Sequence, residues 1–232
     1  MIEFFGLTKS YPGRLPVLED ASFKIGQGEF FFLSGVSGAG KTTVFKLLLM
    51  IELADKGRIQ FDGVDITGFL PAQRATHRRR IGVVFQDQDN RLLTDDTIEE
   101  NVGLPLRIAG LGGHEMRRRI HVLLEQVGLA DRKKEPVSGL SGGEKQLVSI
   151  ARALVFNPAV FFADEPTGNL DQSVAFKVMN LLREIHRSGC TVVVATHDLS
   201  LIRSFRARTL LIKDRKIQEV RLVNPQMAGA AR

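Results

Sequence analysis

The 232-residue chain carries one cysteine, Cys190, and no apolar run long enough to cross a bilayer. A lone thiol cannot close an internal disulfide, so no oxidised framework holds this fold and a reducing compartment is expected. Cys190 sits just before the apolar run "TVVVAT" and reads as a packing residue of the core. The richest apolar stretch, Val44 to Ala54, is broken by Lys46 and Glu52 and falls short of the roughly 20 residues a membrane helix needs. The start, "MIEFFGLTKSY", places Glu3 where a secretory signal carries basic residues, and no cleavage pattern follows, which makes cytoplasmic residence the expectation. Internal repeats and low-complexity tracts are absent as well.

What is present describes an ordinary globular protein, 44% hydrophobic and 25% charged, able to fold around a real core. The length suits one sizeable α/β domain, or such a domain with an inserted subdomain, better than two independent ones. A net charge of +6 and a pI near 9.7 are compatible with nucleic acid, anionic lipid or a polyphosphate ligand and by themselves select none of them. The basic clusters Arg78–Arg80, Arg117–Arg119 and Arg132–Lys134 read as solvated faces, because no aromatic residues interleave with them as a base-stacking platform requires.

Short apolar runs mark buried strands: "FFFLSG" from Phe30, "IGVVFQ" from Ile81, "AVFFADE" from Ala159, "TVVVATHD" from Thr191 and "TLLIKD" from Thr209. Runs apolar on both faces and separated by helical stretches predict a mainly parallel sheet covered by helices. The half-alternating segments "IEFFGLTKSY", "LEDASFKIGQGE" and "GRIQFDGVDIT" predict a small antiparallel sheet beside it. From Gln86 to about Pro158 the pattern turns helical, with Met116, Ile120, Leu123, Leu124 and Val127 at helical spacing. The tail "NPQMAGAAR" has little to bury and is expected to fray.

One segment carries explicit chemistry. "GVSGAGKT" puts Gly35, Gly40, Lys41 and Thr42 in the pattern of a phosphate-binding loop, after an apolar strand and before a helical pattern. Glycines there let backbone N–H groups converge on phosphates at a helix start, where aligned peptide dipoles favour an anion. Lys41 would reach the β- and γ-phosphates and the Thr42 hydroxyl would ligate Mg²⁺. Asp164 and Glu165 end a buried strand in "AVFFADEP", where ligands of an open α/β sheet gather. Asp164 suits the metal shell; Glu165, one residue further along an extended chain, would face the other side and polarise the attacking water. A second glycine turn, "LSGGE", opens another helical pattern about a hundred residues later, with Ser141, Gly142 and Gly143 able to offer a hydroxyl, N–H groups and a positive helix end to a phosphate.

In order, the chain shows Tyr11, "GVSGAGKT", Gln86 in "VVFQD", "LSGGEKQ", "FFADEP", "GNLD" and His197 in "VVATHD". This series resembles the ABC-type ATPases, the nucleotide-binding subunits of ATP-binding-cassette systems, over nearly the whole chain. The resemblance implies an α/β fold: a P-loop NTPase (RecA-like) core with a small antiparallel β subdomain and an inserted helical subdomain. It implies one domain over 1–232, with core and β subdomain from 1–86 and 158–232 and the helical subdomain, signature included, over 87–157. It implies an ATP-dependent head-to-tail homodimer, each ATP lying between the first glycine loop of one copy and "LSGGE" of the other, so that neither loop suffices alone.

Carried over residue by residue, Gly35, Ser37, Gly38, Gly40, Lys41, Thr42 and Thr43 hold phosphates, as do Ser141, Gly142 and Gly143 of the opposite copy. Tyr11 stacks on adenine; Thr42, Gln86 and Asp164 serve Mg²⁺; Glu165, His197 and Gln86 are catalytic, His197 holding the γ-phosphate; and Asp171 links the two sites. Tyr11 as a turn aromatic, His197 as a satisfied polar residue and Gln86 as a strand cap are the plainer alternatives. One departure is visible: where many relatives follow the signature with Gln-Gln-Arg, this chain has Lys145, Gln146 and Leu147.

Within the family, "DEPTGNLD" is similar to a subgroup of lipoprotein-release, macrolide-efflux and FtsE-type cell-division ATPases, and "FQDQDNRLLTDDTIEENVGLPLRIAG" favours the FtsE type. That likeness implies an FtsX-like integral membrane partner, a peripheral place on the inner face of the plasma membrane, and no specific nucleic acid. The stretch "NRLLTDDT", Arg91 included, is expected to receive a cytoplasmic helix of the partner. Two other classes stay open: a soluble ABC protein acting on nucleic acid, which fits the basic balance, and a small-molecule kinase, which would share only the first loop.

Overall fold

The computed structural model describes residues 1–13, 15–86, 92–168, 170–205 and 207–220. The expectation resting on Arg91 and that of a frayed tail lie outside the described residues. In chain order the elements are β1 (Ile2–Lys9), β2 (Leu18–Ile25), β3 (Phe30–Ser34), α1 (Lys41–Leu48), β4 (Lys56–Phe61), β5 (Val64–Asp65), α2 (Pro71–Arg78), β6 (Ile81–Val84), α3 (Ile98–Ile108), α4 (His114–Gln126), α5 (Gly142–Leu154), β7 (Val160–Asp164), α6 (Gln172–Arg187), β8 (Thr191–Thr196), α7 (Leu199–Phe205), β9 (Arg208–Lys213) and β10 (Lys216–Val220). They pack as two compact units, Met1–His77 with Thr191–Arg232, and Arg78–Cys190.

The first unit holds the expected antiparallel sheet, in the order β2-β1-β4-β5. Ile2 stands opposite both Ile25 and Phe61, so the alternate residues Ile2, Phe4, Ile25, Ile59 and Phe61 share the buried face, as a period of two requires. In the same unit β3 lies parallel between β8 and β9. Phe31, Phe32, Val192, Val193 and Val194 are fully or almost fully buried, each contributing about 1.5–3 kcal/mol relative to exposure. The sequence pattern did not reveal β10, an antiparallel edge strand paired with β9. Its residues Lys216, Gln218 and Glu219 are polar and exposed, as an edge strand's outer row tends to be. Helix α2 also escaped the pattern, because it buries only His77.

In the second unit β6 and β7 pair in parallel, and α3, α4 and α5 form the expected helical segment. Ile120, Leu123, Leu124 and Val127 are buried as their spacing predicts, while Met116 is half-buried. Helix α3 starts on a reciprocal capping box between Thr97 and Glu100, a device worth about 0.5–2 kcal/mol. The basic clusters are less free than a solvated face. Arg119 donates to the Val155 carbonyl at 3.1 Å, Arg132 pairs with Glu135 and Glu144, and Lys134 pairs with Glu99. Arg79 lies 5.6 Å from the Phe156 ring centre. Sequence character and packing thus divide the chain differently, because β6, β7 and α6 pack with the helices. Among the described residues no helix is long and apolar enough to cross a membrane.

Candidate active site

The loop from Gly35 to Gly40 joins β3 to α1 in the first unit. Gly40 has φ 107°, and a Cβ there would stand 2.7 Å from Val17 Cγ1, so neither the conformation nor the space admits a side chain. Helix α1 begins at Lys41 with no side-chain cap and no acid in its first turn. Helices α3, α5 and α6 instead begin on the side chains of Thr97, Ser141 and Asp171, and α4, also without a side-chain cap, carries Glu115 in its first turn. A helix start with no side-chain cap, on a strand-to-helix glycine loop, fits a phosphate group. Lys41 is buried, and its ammonium donates to the Gly35 carbonyl at 2.8 Å and the Val36 carbonyl at 3.4 Å. The loop therefore holds its own cation in place. Ser37 and Gly38 are exposed on the loop, Thr42 is half-buried and Thr43 is buried.

Two further predicted residues reach this loop. Ser34 of β3 pairs with Thr196 of β8 in parallel register, so Gly35 and His197 leave neighbouring strands at their carboxyl ends. Together with Val36, Leu199, Leu211 and Val220 they line a cavity of about 360 Å³. Asp198 fixes the chain beyond His197 by accepting from the Ser200 hydroxyl and the Ser200 and Leu201 N–H groups, which holds its carboxyl below the usual range. Tyr11 lies with its hydroxyl 3.5 Å from Thr43 Oγ1, at the start of α1.

In the second unit Val84 of β6 pairs with Ala163 of β7. Gln86 and the pair Asp164–Glu165 therefore emerge together at the carboxyl ends of two parallel strands, Gln86 exposed and Asp164 buried. The backbone at Glu165 corrects the expectation of an extended chain. Strand β7 ends at Asp164, and Glu165 takes φ 47°. It opens a turn in which the Gly168 N–H donates to the Glu165 carbonyl at 3.0 Å. Pro166 sits at the second turn position, where its fixed φ is favoured. The turn, not strand alternation, sets the direction of the Glu165 side chain.

The signature segment begins α5. Ser141 caps it: the Ser141 N–H and hydroxyl donate to Glu144 Oε2, each at 2.8 Å, and the hydroxyl oxygen accepts from the Glu144 N–H at 3.3 Å. Those two donors, with Arg132 beyond them, hold the Glu144 carboxyl below its ordinary value. The two glycines differ. A Cβ on Gly143 would stand 2.5 Å from Val174 Cγ1, whereas one on Gly142 would meet no described atom within 4 Å. Packing against α6 therefore demands glycine at 143, and nothing described in this chain demands it at 142. Asp171 caps the adjoining helix α6, accepting from the Ser173 and Val174 N–H groups at 2.9 and 3.0 Å and from the Ser173 hydroxyl at 2.7 Å. The starts of α5 and α6 thus lie side by side.

Three residues with evident parts in these arrangements escaped the motifs. Arg132 grips Glu144; Gln146, quoted with the signature but given no part, donates to the Pro166 carbonyl at 3.1 Å; and Lys9 lies over the Tyr11 ring at 5.4 Å. As to a metal, no group of three His, Cys, Asp or Glu among the described residues could hold one.

Comparison with known proteins agrees with this geometry. A family described as ABC transporter matches residues 18–168. The chain is 47% identical over 212 residues to the cell division ATP-binding protein FtsE of Escherichia coli strain K12, covering 90% of this chain and 95% of that protein. It is 40% identical over 214 residues to FtsE of Bacillus subtilis strain 168, covering 92% and 93%. The fold superposes with a TM-score of 0.85 and 32% identity on the ATP-binding cassette MJ0796, solved as a dimer in a post-hydrolysis state bound to ADP and Pi, with 97% of this chain and 100% of that one covered.

Proposed function

Because the chain belongs to the ABC transporter family, as an ATPase of that family, we propose that it is the ATP-binding and ATP-hydrolysing subunit of an FtsE-like membrane complex. In this reading, ATP-driven head-to-tail dimerisation is coupled to a separate FtsX-like integral membrane partner in cell division, and the protein sits on the inner face of the plasma membrane through that partner. The observation that carries it is the strand-to-helix glycine loop, where α1 starts with no side-chain cap and no acid over the buried Lys41, together with a second glycine turn whose Gly142 has no described atom within 4 Å of an added Cβ. Two glycine turns on one polypeptide, each at a helix start, are accounted for when the two grip the same triphosphate from different copies.

Lys41 releases the loop carbonyls and turns to the β- and γ-phosphates. Glu165 polarises water for attack on the γ-phosphorus, the β–γ bridging oxygen leaves with ADP, and inorganic phosphate is released. His197 holds the γ-phosphate, Tyr11 stacks on adenine, and Asp171 links the two sites. Thr42, Gln86 and Asp164 are the proposed protein ligands of Mg²⁺, which when bound would supply positive charge to the phosphates. The division at 87–157 into a helical subdomain belongs to the same reading.

The test is direct. Glu165→Gln protein, loaded with MgATP, is expected to elute as a dimer that wild-type protein forms only transiently, and to retain an integral membrane protein from detergent-solubilised membranes. A variant that stays monomeric at saturating ATP removes the dimer reading. Retention on nucleic acid at physiological salt, without a membrane protein, replaces the partner reading with the soluble class.

A further inference from the structure

We propose that Lys9 is a positioning residue for the nucleotide base, holding Tyr11 in the orientation in which adenine stacks. The proposal rests on the reading of Tyr11 as the adenine-stacking residue and goes beyond it by naming what fixes the ring. Lys9 ends β1, two residues before Tyr11, and its side chain is only 11% exposed. A buried ammonium is costly unless it is paired and hydrogen-bonded, and this one is both. It donates to the Leu53 carbonyl at 2.8 Å and stands 3.6 Å from each of Glu52 and Asp55.

Those partners belong to the segment that follows α1, and that segment is itself fastened to the end of β1. The Asp55 N–H donates to the Thr8 carbonyl at 2.9 Å, and the Ser10 N–H to Asp55 Oδ2 at 2.6 Å. The ammonium therefore has little freedom. From this fixed point it faces the Tyr11 ring at 5.4 Å from the centroid, inside the range in which a cation is attracted to an aromatic face. At the other end of the side chain the Tyr11 hydroxyl lies 3.5 Å from Thr43 Oγ1.

The ring is thus held at two points, one of them on the helix that starts at the phosphate loop. A platform fixed in advance spares the ordering cost that a mobile ring would incur on binding. Lys9 lies over one face of the ring, and in this proposal the base takes the other. Lys9 is accordingly expected to act on the base and not on the phosphate tail.

The chain contains one tyrosine and no tryptophan, so tyrosine emission reports on Tyr11 alone. Titration of the emission with ADP and with inorganic tripolyphosphate, checked by calorimetry, separates base from tail. Lys9→Met, which keeps an apolar stem and removes the charge, is expected to weaken ADP about tenfold and to leave tripolyphosphate affinity at the wild-type value. Lys9→Arg, which restores a cation over the ring, is expected to recover most of the ADP affinity. Unchanged or tighter ADP binding by Lys9→Met overturns the proposal, as does a parallel loss of tripolyphosphate, which marks general damage to the loop. Tyr11→Leu distinguishes the two levels. If its calorimetric affinity for ADP equals wild type, the stacking reading fails and Lys9 with it; if it falls while Lys9→Met does not change, only the role of Lys9 fails.

Discussion

Replacing each signature glycine by alanine separates what the fold needs from what the ligand needs. At Gly143 the new Cβ lies 2.5 Å from Val174 Cγ1, 3.3 Å from Cγ2 and 3.4 Å from Cβ, so α5 and α6 must part or Val174 must leave its rotamer. Overpacking of this kind costs about 1–3 kcal/mol, and the gain in helix propensity of about 0.5–1 kcal/mol offsets only part of it. With the 2.5 Å approach placing the cost toward the upper end of its range, the net loss of up to about 2.5 kcal/mol lowers the melting temperature by up to roughly 10 °C in a chain of this size. At Gly142 no described atom lies within 4 Å of the added Cβ, so the melting temperature should hold or rise slightly. Phosphate release should behave in the opposite way. On the proposed reading, Gly142→Ala intrudes on the face that receives the nucleotide, and it should lose most ATP turnover while melting normally. The assays are thermal unfolding by circular dichroism and colorimetric phosphate release, with Gly143→Ala/Val174→Ala as the control that returns space and stability. A Gly142→Ala protein that hydrolyses ATP at the wild-type rate, or a Gly143→Ala protein that melts with wild type, would refute the argument.

Other perturbations test separate parts of the reading. Lys41→Ala should weaken nucleotide binding in an equilibrium titration, since the cation that the loop holds at 2.8 Å from Gly35 is lost; an unchanged affinity counts against its role. Glu165→Gln should keep ATP binding but slow turnover by about 10²- to 10⁴-fold, the contribution of a placed general base, as read by single-turnover phosphate release. Burial pushes the Cys190 thiol up to about 12, so little thiolate exists near neutrality, and maleimide should label the folded protein far more slowly than the unfolded chain at pH 7.5. Glu144 and Asp171 have depressed carboxyl pKa values, held down chiefly by Ser141 and Ser173 respectively. Their stabilisation is therefore complete above the ordinary values of 4.5 and 3.8 and is lost as the pH falls through the lower folded-state values. Acid unfolding of Glu144→Gln followed by circular dichroism should show a shallower pH dependence over that range.

The sequence by itself determined the series of chemical groups and the kind of element each sits on. Both glycine loops, Asp164, Glu165 and His197 were legible because strand and helix periods and the order of motifs are relations between near neighbours along the chain. The antiparallel sheet and the helical segment were legible for the same reason. Only the tertiary structure decided that Glu165 leaves the strand in a left-handed turn, that Gly143 serves packing against Val174 while Gly142 stands open, that Arg132 pairs with Glu144, that Gln146 donates to the Pro166 carbonyl and that Lys9 lies over the Tyr11 ring. It also revealed β10 and α2, whose polar composition hides them from a reading based on apolar period. Those facts depend on which segments are brought within a few ångströms of one another, and contact between distant segments is set by the packing of the whole unit, which no local spacing records.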